Sequence, residues 1–294
     1  MTASVAMQLI VDGLAMGLVY VLLASGFNLI MTVPKVLFIA YGEFYMLGAY
    51  VLWGLVLLGN IPFLPALCLA TIATAILGGI VYRLIFQRIQ YMEQQFLTNI
   101  IAALALSMII AQGALLVFGT ESRGMPSIFP GIVNIGAITI AAEKIVLVVL
   151  TLAVLMGLNI FLQKTNYGRA MRAVSFNADV AALQGVSANM TCLVTMAVGC
   201  GLAGFAGGLM APVFALSPKM GSITIFVLFV VMLGGIGSMV GAILAGLILG
   251  MTLSFGQFFF GSGLSQIVFF VVIFIILYFR PGGLLGKAEA DIPI

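Results

Sequence analysis

Charge is scarce in this chain. Lys and Arg number 11 and Asp and Glu number 8, so charged residues make up 6% of the 294 positions. A soluble domain carries about 25%. Histidine is absent, and the three cysteines, Cys68, Cys192 and Cys200, all sit inside apolar runs. A metal centre needs several close Cys, His or carboxylate ligands, and a disulfide framework shows paired spacings. The cysteines are therefore read as small core residues. No basic run interleaved with aromatics occurs, which excludes nucleic acid as a partner. The period-two alternation of membrane barrel strands is missing as well. The N-terminus lacks a basic segment before its first apolar run, so that run is expected to be retained as a helix rather than cleaved as a signal peptide. No polar stretch exceeds about 25 residues, too few to build a core of its own.

Nucleotide motifs are lacking too. Gly234-Gly235-Ile236-Gly237-Ser238 is rich in glycine, but a dinucleotide fingerprint needs Gly at 240, where Val240 stands. A phosphate loop ending at Gly286-Lys287 needs Gly at 281, where Pro281 stands.

What remains is apolar. Hydrophobic residues make up 64% of the chain and the mean hydropathy is +1.31. Only lipid suits such a surface. The runs fall at 7–33, 36–59, 62–82, 96–119, 145–163, 190–211, 223–239, 240–258 and 262–279. They imply an all-α polytopic bundle of eight to ten transmembrane helices, with one transmembrane domain over 1–294. A broken or re-entrant element is expected near 223–258. Lys and Arg collect in a loop at 83–93 (Arg83, Arg88), in an insert at 164–188 (Lys164, Arg169, Arg172) and in the tail (Arg280, Lys287). Cytoplasmic loops carry that excess. The N-terminus is therefore expected outside and the C-terminus in the cytoplasm, with 120–144 as an external loop whose alternating part, 132–140, forms a small hairpin.

Glycine numbers 35. Gly13/Gly17, Gly204/Gly208, Gly237/Gly241 and Gly246/Gly250 recur at spacing four, which puts small residues on one helix face and lets backbones approach. Glu43 lies inside an apolar run. A carboxylate at that depth faces a partner or a wet cavity, so Glu43 either bridges helices or borders a solute path. Asn28 and Asp12 are weighed in the same way, with Asp12 near the outer aqueous edge. In the polar insert, Asn177 reads as an N-cap, Asp179 favours the helix dipole, 178–184 is helix-forming and Gly185 suits the C-cap. Arg169–Val174 is expected to make a separate basic turn. So short a helix needs a surface to dock on, and Val180, Ala181 and Leu183 offer a small apolar face either to another protein or to the bundle and lipid.

Five motifs in order complete the reading. They are Gly26-Phe27-Asn28-Leu29-Ile30, Gly42-Glu43-Phe44-Tyr45-Met46-Leu47-Gly48-Ala49-Tyr50, Gly168-Arg169-Ala170-Met171-Arg172-Ala173 with Asn177, Ala181-Ala182-Leu183 and Gly185-Val186, then Gly234-Gly235-Ile236-Gly237-Ser238, and Arg280-Pro281-Gly282-Gly283-Leu284. Together they resemble the LivH-type permeases of branched-chain amino acid ABC importers over nearly the whole chain. The resemblance implies a permease subunit in a bacterial plasma (inner) membrane, not an enzyme, forming half of a path for branched-chain or other hydrophobic amino acids. It implies a second, LivM-like permease, two cytoplasmic ATPases that hold ATP and Mg2+, and an external solute-binding protein. This chain itself is expected to bind no cofactor. Asn28, Tyr41, Glu43, Gly234, Gly235, Gly237 and Ser238 are assigned to the translocation path. Arg169, Arg172, Asn177, Asp179, Ala182, Leu183 and Gly185 are assigned to ATPase coupling. The family commonly reads Asn-Phe-Ala-His-Gly-Glu where this chain has Phe38-Ile39-Ala40-Tyr41-Gly42-Glu43. That departure keeps urea or short amides open as the solute. A stand-alone secondary transporter or channel is the rival class.

Overall fold

The computed structural model describes residues 3–90, 92, 94–125, 131–135, 138–280 and 282–285. Lys287, Pro281 and part of the external loop lie outside them. Among the described residues eleven α-helices follow in order: α1 (Ala3–Thr32), α2 (Tyr41–Leu57), α3 (Phe63–Val81), α4 (Gln87–Ile89), α5 (Gln95–Phe118), α6 (Ala142–Lys164), α7 (Asn166–Phe176), α8 (Ala178–Leu183), α9 (Ala188–Met210), α10 (Ile223–Gly234) and α11 (Met239–Phe279). Strands β1 (Ile132–Ile135) and β2 (Ile138–Ala141) pair antiparallel between α5 and α6. This hairpin matches the alternating stretch and is the one departure from all-α among the described residues.

Six helices are long and apolar enough to cross a membrane among the described residues, and three shorter apolar ones accompany them. α10 has 12 residues, a length of about 18 Å against a hydrocarbon core of about 30 Å. A non-helical break at 235–238 separates it from α11, as the glycines there led us to expect. α11 carries a second break at Gly261, whose φ of 79° interrupts the helix.

One expectation fails at 83–93. The charged stretch is not a loop at its start: a π-helical turn, Tyr82–Phe86, carries α3 directly into α4. Arg83 and Arg88 are exposed on this extension while Tyr82 and Phe86 are buried. A helix outlasts its apolar run when its cations project to water and its apolar side chains stay packed.

The chain forms two compact units. In the first (Met1–Asn28, Phe129–Leu152 and Phe226–Ile294), α1 and α11 run antiparallel. Gly13 meets Met251, Gly17 meets Leu247 and Gly250, and Gly246 meets Val21. The Gly13/Gly17 and Gly246/Gly250 pairs read from the sequence are therefore each other's partners. Lys144 Nζ donates to Asp12 Oδ1 at 2.7 Å, tying the start of α6 to α1.

In the second unit (Leu29–Ile128 and Ala153–Ile225), α9 is the central helix. Of its most apolar window 72% is buried, against 11% for α5. Gly204 touches Gly48 of α2 on one side and Thr74 of α3 on the other, Gly207 lies under the Tyr45 carbonyl, and Gly78 of α3 meets Cys200. α2 and α9 meet backbone to backbone, the Thr74 and Cys200 side chains fill the glycine hollows between α3 and α9, and the three helices interlock as the small-residue spacing implies.

Candidate functional site

The polar insert begins with a device that closes one helix while starting another. Thr165 Oγ1 donates to the Phe161 carbonyl at 2.6 Å and accepts from Gly168 N at 3.1 Å. The Arg172 guanidinium donates to the Leu162 carbonyl. The last carbonyls of α6 are thus satisfied as α7 opens. Gly168 sits against the Leu162 backbone, where a Cβ would overlap it. The basic turn expected at Arg169–Val174 is in fact part of α7, an 11-residue helix. Its cap and its buried face, Gly168, Met171 and Val174, extend it in both directions.

α8 follows the sequence closely. Asn177 Oδ1 accepts from Asp179 N at 2.9 Å and from Val180 N at 3.1 Å, and Gly185 has φ 82°. Ala181 is the buried member of the expected apolar face, whereas Val180 is 51% and Leu183 87% exposed. Phe176, at the end of α7, is 81% exposed. Ala182, Asp179 and Gly185 are also exposed. Of the two arginines assigned to coupling, both are exposed but engaged within the chain, Arg172 on Leu162 and Arg169 on Asn166.

A second cluster surrounds Glu43, in the first turn of α2. Glu43 is 6% exposed. Its Oε1 accepts from Ser107 Oγ at 3.1 Å, while Oε2 has no hydrogen-bond partner among the described residues. Its carboxylate lies so close to Gly221 that a Cβ there would overlap it. The neighbouring Gly42 N donates to Thr224 Oγ1 at 2.7 Å, and Thr224 Oγ1 in turn donates to the Gly221 carbonyl at 3.0 Å. Ser107, Gly221 and Thr224 were not singled out from the sequence. The available signal was the spacing of Asn99, Ala103 and Ser107, small or polar residues on one face of an otherwise apolar α5. Phe38 and Tyr41, the departures from the family pattern, are fully buried. Phe38 packs on Phe44 and Phe86, with ring centroids 5.5 and 5.6 Å away.

The third cluster holds the glycine break. Asn28 Oδ1 accepts from Gly237 N at 2.8 Å. Gly235 and Gly237 have φ of 92° and 86°, a region other residues avoid. Ser238 caps α11 by accepting from Gly241 N at 3.0 Å. The tail motif then returns to the same place. Leu284 N donates to the Leu233 carbonyl at 2.7 Å and Leu285 N to the Gly234 carbonyl at 3.3 Å, so the end of α10 is capped by the tail. Replacing Asn28 with Ala leaves Gly237 N without its acceptor. Thermal unfolding in detergent is expected to show a loss of about 1 kcal/mol.

The three clusters carry motifs that span most of the chain, and their combination is matched as a whole. A family model described as "Branched-chain amino acid transport system / permease component" covers residues 9–277. The chain belongs to this permease family. Among its curated relatives, the high-affinity branched-chain amino acid transport system permease protein BraD of Pseudomonas aeruginosa is 28% identical, over 97% of both chains. The permease protein LivH of Salmonella typhimurium is 26% identical, again over 97% of both. A probable LivH of Methanocaldococcus jannaschii is 28% identical over 90% of this chain and 88% of its own. The fold is also similar to PsaBC from Streptococcus pneumoniae in complex with Fab, with a TM-score of 0.50 at 13% identity, covering 92% of this permease and 91% of that chain. The permease is thus a multi-pass membrane protein.

Proposed function

We propose that this permease is the membrane subunit of an ATP-driven importer and forms half of the path for branched-chain or other hydrophobic amino acids. The observation that carries the reading is the pair α7–α8, which holds exposed Phe176, Val180 and Leu183 on a capped, helical insert of a chain in this family. Exposed apolar side chains in a polar segment are a docking surface. The occupant is one of two cytoplasmic ATPases, which hold the ATP and Mg2+; the permease itself binds neither. A second, LivM-like permease completes the path, and an external solute-binding protein delivers the solute. The chain lies in the plasma (inner) membrane with eight to ten spans, the N-terminus outside and the insert and C-terminus inside. Its helices form one transmembrane domain, with a broken or re-entrant element near 223–258.

Glu43 and Tyr41, and separately Asn28 with Gly234, Gly235, Gly237 and Ser238, border or brace the path. Arg169, Asn177, Asp179, Ala182, Leu183 and Gly185 form the coupling surface, and Arg172 holds it to α6. Reconstitution in vesicles tests the central reading. Uptake of radiolabelled L-leucine is expected only with both ATPases and ATP present. Uptake without them makes the chain a secondary transporter or channel instead. Glu43→Gln keeps the shape and the Ser107 contact but removes the charge. It is expected to lower the uptake rate several-fold with the protein still folded; an unchanged rate removes Glu43 from the path.

A further inference from the structure

A cluster in the second unit carries hydrogen-bond donors that find no acceptor among the described residues. Tyr50 and Trp53 lie one turn apart near the end of α2, on one face. Arg123 follows the end of α5. Its guanidinium carbon stands 4.7 Å from the centroid of the Trp53 ring and 5.9 Å from that of Phe118. The Phe118 ring stacks on Tyr50 at 4.1 Å. Backbone bonds between Arg123 and Leu216, at 2.9 and 2.8 Å, hold the arginine in place. Leu216 lies beyond the C-terminal end of α9, whereas the coupling insert precedes its N-terminal end. The 23 residues of α9 put about 34 Å between those ends.

The donor count is unbalanced. Arginine has five N–H donors, and one bond is made here, from Nη2 to the Phe118 carbonyl at 3.0 Å. No carboxylate pairs with Arg123 among the described residues. Among the described residues the Tyr50 hydroxyl and Trp53 Nε1 are both buried without a hydrogen-bond partner, and Tyr50 is only 2% exposed. A buried polar atom without a partner is costly and rare. Two unpaired donors beside a guanidinium with no anionic partner among the described residues call for one complementary group, an anion with two oxygen acceptors. The aromatic walls raise the worth of that charge contact by excluding water.

We propose that Tyr50, Trp53 and Arg123 form a subsite for the carboxylate of the transported solute, at the end of the path away from the coupling insert. The proposal rests on the amino-acid reading above. The donors are enclosed in this conformation, and the subsite is presented when the cycle opens that end. It adds a carboxylate requirement to the side-chain preference of the path, so an uncharged amide is expected to be rejected.

The assembled importer in vesicles, with its ATPases and binding protein, tests this. Tyr50→Phe and Trp53→Phe each remove one unpaired donor and keep an aromatic ring. Loss of a donor that bonds nothing leaves stability unchanged or raised. Uptake of L-leucine is nonetheless expected to fall about tenfold in each, and further in Arg123→Gln, with Arg123→Lys restoring it only in part. In thermal-shift measurements on the purified permease, L-leucine is expected to raise the Tm of the wild type, leucinamide is not, and Tyr50→Phe abolishes the shift. Wild-type leucine uptake with Tyr50→Phe unchanged overturns the subsite and leaves the function standing. A wild type that carries no amino acid overturns both. If Arg123→Gln raises only the amount of binding protein needed, with the solute KM unchanged, the arginine docks a protein and the subsite is again overturned.

Discussion

Leu183→Asp is expected to abolish ATP-driven uptake while leaving the permease folded. Leu183 is 87% exposed at the end of a capped helix, so nothing inside the chain depends on it. At a protein interface, an apolar anchor replaced by a charge costs about 2 kcal/mol or more, which is about thirtyfold in affinity. The ATPases should then fail to co-purify, and their hydrolysis should no longer drive transport. The same change two residues away, on the opposite face of α8, separates docking from folding. Ala181 is 5% exposed against the bundle, and Ala181→Asp buries a charge without a partner, so the protein itself should be lost. Size-exclusion profiles of the two variants, with and without the ATPases, distinguish them. A Leu183→Asp permease that still recruits its ATPases and transports normally removes the docking role from α8.

Gly204→Leu is the second large effect, and it acts on the fold. Gly204 has the Gly48 backbone on one side and Thr74 on the other, and a Cβ alone already overlaps the Thr74 side chain, its branched Cβ included. Overpacking a core costs about 1–3 kcal/mol when side chains can shift. Here the obstacle is Thr74, whose Cβ is fixed to the α3 backbone and cannot swing aside, against the helix on which the second unit is centred. Accumulation of monodisperse protein should drop to near nothing. Gly157→Leu provides the comparison, because nothing stands within 4 Å of the Cβ site at Gly157. That variant should accumulate as the wild type does. Equal yields from both would mean that α2, α3 and α9 are not locked at Gly204.

Local signals in the sequence carried further than distant ones. Asn177, Asp179 and Gly185 place α8 unaided because a cap bonds to its own next turn. The spacing of Gly13/Gly17 and of Gly246/Gly250 predicts close approach, but spacing cannot say that these two faces meet each other. The basic turn expected at Arg169–Val174 became a helix because its cap, Thr165, and its clamp, Arg172 on Leu162, reach back into α6. The loop expected at 83–93 began as helix because charge was read as a boundary, and exposed arginines are compatible with a continuing helix. Around Glu43 the sequence named the acid and missed Ser107, Gly221 and Thr224, which all come from segments 64 or more residues away and acquire meaning only by packing. The departures at Phe38 and Tyr41 looked like changes to a polar site, whereas both side chains are core.

The tail's return to α10 has a mechanical consequence. Leu284 and Leu285 grip the last carbonyls of α10, and Asn28 grips the glycine break from α1. The joint between α10 and α11 is therefore splinted from two directions by segments nearly the whole chain apart. Any stroke that swings α10 must carry Leu284 and Leu285 with it or break their bonds, which makes this short stretch part of the linkage.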